Sequence, residues 1–112
     1  MSLSNYKIRK GWEYRYIYRN GRRKANRFFI LYYLETSLGY SRVGISASRK
    51  LCGAVKRNRI KRIIREIVRA DDYSFLKDMS LNMVVVAREK MVGADFREAK
   101  EAFVNLVRSI ES

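Results

Sequence analysis

A long amphipathic segment, from Ala54 to about Asp71, constrains the fold of this chain more than any other feature. Four isoleucines recur in it at the i, i+3, i+4, i+7 spacing of one helical face: Ile60, Ile63, Ile64 and Ile67. At about 100° per residue, the opposite side of the helix is polar and cationic: Arg57, Lys61, Arg65 and Arg69, with Asn58 and Arg62 beside them. The segment is therefore predicted to be a helix whose isoleucines enter a core and whose cations face outward.

The charge of this helix cannot be balanced within the helix. Up to Arg69 it has seven Lys and Arg residues and one acid, Glu66, and like charges four residues apart destabilise a helix. A solvated face laced with ion pairs, the usual interpretation of a charge run, therefore does not fit. The whole chain has a net charge of +14, so the predicted partner is a polyanion, with nucleic acid favoured over an anionic membrane surface. An arginine-rich helix can enter a DNA major groove or lie on folded RNA, and its periodicity leaves both open.

Residue types that support protein-based catalysis are missing or isolated. The chain has no histidine, which excludes Ser-His, Cys-His and His-metal sites. Its single cysteine, Cys52, permits no internal disulfide and is interpreted as a packing residue in a reducing, cytoplasmic protein. Asp71 and Asp72, with Asp78 nearby, could bind magnesium, but solvated carboxylates at a helix end are the favoured interpretation. The longest apolar stretch, Phe28 to Leu34, is far short of the ~20 residues of a membrane helix.

The remaining patterns predict an α+β fold. Helices are expected at Lys10 to Arg19 and from Asp95 onward, and strands at Arg22 to Ala25, Phe28 to Glu35, Arg42 to Ala47 and Met79 to Ala87. The loop Thr36 to Tyr40 is interpreted as a hairpin, and the last strand as a central one covered on both faces. The order α-β-β-β-α-β-α predicts a single domain, 1–112, built as a two-layer sandwich of about four strands in one mixed sheet with three helices.

Aromatic residues give the first helix two apolar faces. Tyr14 and Tyr18 are four residues apart, and so are Trp12 and Tyr16. The strand that follows is apolar on both sides, with Phe28, Ile30 and Tyr32 facing one way and Phe29, Leu31 and Tyr33 the other. One face of each element can enter the core, so the other needs a partner.

The segment from Gly53 to Glu66 reads Gly-Ala-Val-Lys-Arg-Asn-Arg-Ile-Lys-Arg-Ile-Ile-Arg-Glu. It resembles the Ala-Val-x-Arg-Asn-Arg-x-Lys-Arg-x-x-Arg signature of the bacterial ribonuclease P protein component. Further similar positions span the chain: Gly21, Ala25-Asn26-Arg27-Phe28, Arg42-Val43-Gly44, Ser48-Arg49-Lys50 and Val84-Val85-Val86-Ala87-Arg88.

This resemblance implies the small subunit of a ribonucleoprotein that removes the 5′ leader from precursor tRNA. The RNA subunit would hold most of the Mg²⁺, and the protein would aid substrate and metal binding without contributing a catalytic residue. The implied partners are ribonuclease P RNA and precursor tRNA, with no membrane and no obligate protein partner. The implied fold is similar to a ribosomal-protein domain with a left-handed βαβ crossover, which is uncommon.

The resemblance also implies residue roles. The RNA subunit would contact Arg57, Asn58, Arg59, Lys61, Arg62 and Arg65, and a basic pair, Arg49 and Lys50, would add contacts. A leader-binding cleft would be lined by Tyr14, Tyr18, Ile30 and Tyr32, where unpaired nucleotides can stack. The alternatives are that these aromatic residues are ordinary core, and that the chain is a ribosomal-type structural RNA-binding protein or a DNA-binding regulator.

Overall fold

The computed structural model describes residues 6–70 and 74–110. Within them the chain forms four helices and four strands, which alternate in part. The helices are α1 (Gly11–Asn20), α2 (Ala54–Arg69), α3 (Ser74–Asp78) and α4 (Phe96–Arg108). The strands are β1 (Arg22–Ala25), β2 (Phe29–Glu35), β3 (Arg42–Ser46) and β4 (Leu81–Ala87). The α+β prediction is confirmed, but α3 was not expected from the sequence.

The strands form one mixed sheet in the order β1-β2-β4-β3. β1 and β4 both pair antiparallel with β2, while β3 pairs parallel with β4. The prediction that 36–40 forms a hairpin between β2 and β3 is wrong, because β4 lies between these two strands. The loop crosses the start of β4, where the Thr36 amide donates to the Ser80 carbonyl at 3.0 Å and the Leu81 amide donates to Ser41 Oγ at 3.0 Å.

The central position of β4 follows from its composition. Its run Leu-Asn-Met-Val-Val-Val-Ala is buried at five of seven positions, as the continuous apolar pattern predicted. Only a strand flanked on both edges and covered on both faces can bury such a run. The connection from β3 to its parallel neighbour β4 passes through α2, as expected for a βαβ unit, and its left-handed sense stays a prediction.

The main core lies between one face of the sheet and helices α2 and α4. The sheet contributes Phe29, Leu31, Met83 and Val85, α2 contributes Ile60, Ile64, Ile67 and Val68, and α4 contributes Ala99, Phe103, Leu106 and Val107. The isoleucine stripe of α2 therefore faces the core as predicted, with Ile63 half-buried at its margin. Asp95 begins α4 as predicted, and its carboxylate accepts a hydrogen bond from the Glu98 amide at 3.3 Å.

Helix α1 packs on the opposite face of the sheet, over a second and smaller core. The buried members of that core are Ile8, Ile17 and Val84. The two main layers are thus the sheet and the α2/α4 pair, and α1 covers only part of the other face. No described helix is long and apolar enough to cross a membrane.

Two aromatic residues are not located where the sequence pattern places them. Phe28 was assigned to the same face as Ile30, but it precedes β2 and is buried in the main core beside Phe29. A turn causes this, since Asn26 Oδ1 accepts hydrogen bonds from the amides of both Phe28 and Phe29. Helical spacing places Phe96 on the same face of α4 as the buried Phe103, but Phe96 lies in the first turn of the helix, beyond the core, and is 41% exposed.

Gly21 ends α1, but it does not adopt the left-handed conformation that usually favours glycine at a helix end. Its backbone is extended (φ −80°), but a Cβ there would lie 2.6 Å from the Ile17 carbonyl oxygen and 2.8 Å from the Tyr33 carbonyl oxygen. The helix end therefore approaches β2 too closely for any side chain.

We expect Gly21→Ala to lower the free energy of unfolding by about 1–3 kcal/mol, because two backbone atoms must move to admit the methyl group. Urea unfolding followed by circular dichroism measures the change. Gly53→Ala is the matched control: a Cβ on Gly53 would have no atom within 4 Å, and the φ of −68° there suits any residue. Equal stability of the two variants would contradict the close-approach explanation.

Candidate nucleic-acid interface

The cations of α2 lie in solvent without carboxylate partners. Lys56, Arg59, Arg62, Arg65 and Arg69 are exposed, and Arg57 and Lys61 are half-buried. Throughout the described part of the chain, none of these side chains forms an ion pair. The predicted outward placement is confirmed, and the helix keeps its mutual repulsion, which a bound polyanion would relieve.

The six α2 residues predicted to face RNA do not form one narrow line. At about 100° per residue, Arg57 and Lys61 lie on one flank of the helix, while Arg59 lies about 160° from Arg57 on the other flank. Asn58, Arg62 and Arg65 lie between them, and all three are exposed. The cationic surface therefore spans the whole solvent side of α2, which suits contact with several phosphates of a folded RNA.

Strand register arranges the α1 side of the sheet in three rows. The first row is Leu34, Asn82 and Arg42; the middle row is Tyr32, Val84 and Gly44; the third row is Ile30, Val86 and Ser46. Residues two apart on each strand face the same way, so these nine residues share one surface of the sheet.

Helix α1 lies over the middle row. The Tyr14 ring rests on Gly44, where a Cβ would meet it at 2.6 Å, and the Tyr18 ring meets Tyr32 edge-on with centroids 4.9 Å apart. A glycine within a strand is typical of a bulge or a close approach, and at Gly44 the ring of Tyr14 is what approaches.

An ion pair fixes which side of α1 stays open. Glu13 Oε2 accepts a 2.6 Å charge-assisted hydrogen bond from Arg42 Nη2, so the Glu13 side of the helix covers the first row. The third row is then left beside the opposite flank of α1. Ile30 and Val86 there are half-buried, as are Leu34 and Asn82 of the first row, so the ion pair rather than burial distinguishes the two sides.

We call this open strip the aromatic groove, formed by Tyr14, Tyr18, Tyr32, Ile30, Val86 and Ser46. It contains all four residues that the family resemblance assigned to a cleft. Tyr18 is 39% exposed, whereas Tyr14, Ile30 and Tyr32 are half-buried. The core interpretation is thus partly right for Tyr14 and Tyr32, whose rings pack against the small core, while Tyr18 offers its ring to solvent. Val86 and Ser46 were missed, although period two from Gly44 and Val84 points to them.

The hydroxyl of Tyr14 lies between α1 and the chain that precedes it. It donates a hydrogen bond to the Ile8 carbonyl at 3.4 Å. Burial raises the pKa of Tyr14 above its ordinary value of 10.0, and a backbone hydrogen bond at Ile45 partly offsets the increase. The phenol is therefore neutral at physiological pH and serves as a packing and hydrogen-bonding group.

This raised pKa predicts a loss of stability in alkali. Because the folded state holds the Tyr14 proton more tightly than the unfolded state, its contribution is complete below about pH 10 and is lost as pH rises through the folded pKa. We expect urea unfolding to show a steeper fall in stability above about pH 10 for the wild type than for Tyr14→Phe. Parallel profiles would show that Tyr14 does not titrate differently on folding.

Arg49 and Lys50 follow the third row along the chain. They are exposed and lie three and four residues beyond Ser46, in the turn that leads to α2. The groove and α2 occupy opposite faces of the sheet, so this basic pair belongs to the segment that connects the two surfaces.

Potential metal ligands are scattered rather than clustered in the described parts of the chain. Among residues 6–70 and 74–110, no three Cys, Asp or Glu side chains come together as a group that could hold a metal ion. Asp78 is exposed, and Asp71 and Asp72 lie outside the described residues. Cys52 is half-buried against the main core, as a packing residue would be.

An α+β domain with an unpaired cationic helix on one face of its sheet and an aromatic groove on the other defines a class of small basic RNA-binding proteins. The chain matches the family model described as Ribonuclease P over residues 3–111. It belongs to the ribonuclease P protein component family.

Individual relatives agree with this assignment. The chain is 39% identical over 101 residues to the ribonuclease P protein component of Thermoanaerobacter sp. (strain X514), covering 90% of this chain and 85% of that protein. It is 36% identical over 104 residues to that of Clostridium botulinum (strain Loch Maree / Type A3), covering 91% of each. The solved ribonuclease P protein of Thermotoga maritima superposes with a TM-score of 0.84 at 29% identity, covering 95% of this chain and 98% of that one.

The family assignment confirms the predicted function at the level of the complex. The chain is a subunit of the ribonuclease P ribonucleoprotein, an endoribonuclease of tRNA 5′ maturation, and works with ribonuclease P RNA in an accessory role.

Proposed function

We propose that this subunit holds two RNAs on opposite faces of its sheet. The cations of α2, with Asn58, bind the phosphates of ribonuclease P RNA. The aromatic groove binds the single-stranded 5′ leader of precursor tRNA, and Arg49 and Lys50 add contacts between the two surfaces. The observation that carries this proposal is the open third row beside Tyr18, because a sheet face covered only in part exposes stacking surface that folding does not need.

The groove suits a leader whose sequence differs between precursors. A base stacked on an aromatic ring gains ~1–3 kcal/mol whatever its identity, since every base has a π-face. The Tyr18 ring is partly exposed and is held edge-on by Tyr32. Such a ring offers a stacking plane without first having to be ordered, so little conformational entropy is lost on binding.

Magnesium belongs to the RNA subunit in this proposal. The protein lowers the magnesium requirement by neutralising phosphates near the reacting RNA. The compartment proposed is the cytoplasm, and neither a membrane nor a second protein is required.

Reconstitution tests the proposal. The protein with its cognate RNA subunit should bind leader-bearing precursor tRNA more tightly than mature tRNA, and should reach full cleavage at lower magnesium than the RNA subunit alone. Equal affinity for precursor and mature tRNA would overturn leader binding. Co-purification with ribosomal RNA, or a preference for duplex DNA, would instead support the ribosomal-type or DNA-binding alternative.

A further inference from the structure

The second aromatic pair of α1 is not used by the fold or by the groove. Trp12 is 58% exposed and Tyr16 is 55% exposed. Within the described residues, neither ring stacks on another aromatic residue and neither side chain forms a hydrogen bond. Single exposed aromatic residues are common, but two large ones four residues apart form a continuous apolar face on one helix.

This outward face is adjacent to the groove rather than isolated from it. Taking Tyr14 as the origin at about 100° per residue, Tyr18 lies at about 40°, Arg15 at 100°, Trp12 at 160° and Tyr16 at 200°. Glu13 lies at about −100°, on the flank that the Arg42 ion pair holds against the first row. The open flank of α1 therefore leads from the groove past Arg15 onto Trp12 and then Tyr16.

The charge along this path is uniformly positive. Arg15 and Arg19 are exposed and have no ion-pair partner among the described residues. The single acid of α1, Glu13, is on the far flank and is neutralised by Arg42. Alternating aromatic and guanidinium groups suit a strand whose bases stack and whose phosphates need cations.

We propose that Trp12 and Tyr16 form a second stacking surface for leader nucleotides that extend past the groove. The occupant is unpaired RNA, which passes over the rim of α1 at Arg15. This inference rests on the proposed function, because it requires that the leader first occupy the groove. It adds that the affinity for precursor tRNA increases in a second step as the leader becomes longer.

Trp12 is the only tryptophan of the chain, so its fluorescence reports on this surface directly. The holoenzyme, reconstituted from full-length protein and RNA subunit, is titrated with precursor tRNAs whose leaders are lengthened one nucleotide at a time. We expect the emission to be unchanged by mature tRNA and by the shortest leaders. We expect it to be quenched once the leader is long enough to reach Trp12, with a simultaneous increase in affinity.

Variants separate stacking from other effects. Trp12→Ala/Tyr16→Ala should abolish the second affinity step, a loss of about 5- to 150-fold for each stacked base, and leave binding of short leaders unchanged. Trp12→Phe should retain most of the step. Phe96→Ala removes a comparably exposed aromatic residue from α4 and should have no effect on any leader.

Several outcomes would overturn the inference. These are quenching by mature tRNA or by the RNA subunit alone, a change in emission with protein concentration that indicates a second copy of the chain, and quenching by anionic vesicles without RNA. Leader-dependent binding that is weakened by Tyr18→Ala but silent at Trp12 would reject this inference and keep the proposed function. Loss of any leader dependence in the wild type would reject both.

Discussion

Replacing Arg62 and Arg65 together by alanine is expected to weaken binding of ribonuclease P RNA by about 100-fold or more at low salt. Hydrogen bonds to charged groups contribute ~1.5–3 kcal/mol each, and both guanidinium groups are exposed on the solvent side of α2. Each lost phosphate contact should also lower the slope of log affinity against log salt by ~0.7–0.9. Filter binding at several salt concentrations measures the affinity and the slope.

The same substitution should leave the fold intact or stabilise it slightly, because it removes like-charge repulsion from α2. Arg97→Ala is the matched control, since Arg97 is an exposed arginine on the first turn of α4. Glu66→Ala changes the charge in the opposite direction, because it removes the single acid of α2, and it should not weaken RNA binding. If the double variant bound RNA with an unchanged salt slope, α2 would be an ordinary solvated helix.

Tyr18→Ala is expected to remove most of the preference of the holoenzyme for precursor over mature tRNA. Loss of one stacked base costs ~1–3 kcal/mol, which is about 5- to 150-fold in affinity. Assembly with the RNA subunit should be unaffected, because Tyr18 and α2 lie on opposite faces of the sheet. Equilibrium binding of both tRNAs to the reconstituted holoenzyme measures the preference.

Two measurements keep this expectation separate from a folding defect. Tyr18→Phe retains the ring and should retain the preference. Tyr18→Ala should lose the edge-on contact with Tyr32, ~0.5–1.5 kcal/mol of stability in addition to the apolar area that the ring buries. A Tyr18→Ala variant that unfolds at room temperature would show that the ring is core. A folded variant that still distinguishes the two tRNAs fully would place the leader elsewhere.

Local patterns predicted those elements whose environment is set by their own side chains. The isoleucine stripe and opposed cations of α2 predicted both its buried and its exposed face. The unbroken apolar run of β4 predicted a central strand, and Asp95 predicted the start of α4. The strand pairing was harder to predict from the sequence, because the loop at 36–41 can join two adjacent strands as a hairpin or cross over a third strand. The choice depends on β4, whose buried apolar run requires a neighbouring strand on each edge.

The aromatic groove could not be predicted from any single helix or strand. Helical spacing on α1 gave two aromatic pairs without saying which one faces the sheet, and a family resemblance assigned Tyr14 and Tyr18. In the structure this choice is imposed by Gly44, which admits the Tyr14 ring, and by Arg42, which pairs with Glu13. Both residues are on β3, far along the chain from α1. A glycine within a strand can mark a close approach, but no local pattern says which element approaches it.

The sequence alone determined that a cationic helix would face solvent and require a polyanion, since charge and periodicity are properties of one segment. Tertiary structure alone decided where α1 rests, which row of the sheet stays open, and that Trp12 and Tyr16 remain uncovered. These depend on the register of three strands and on one ion pair between distant residues, and such contacts exist only once the chain has folded.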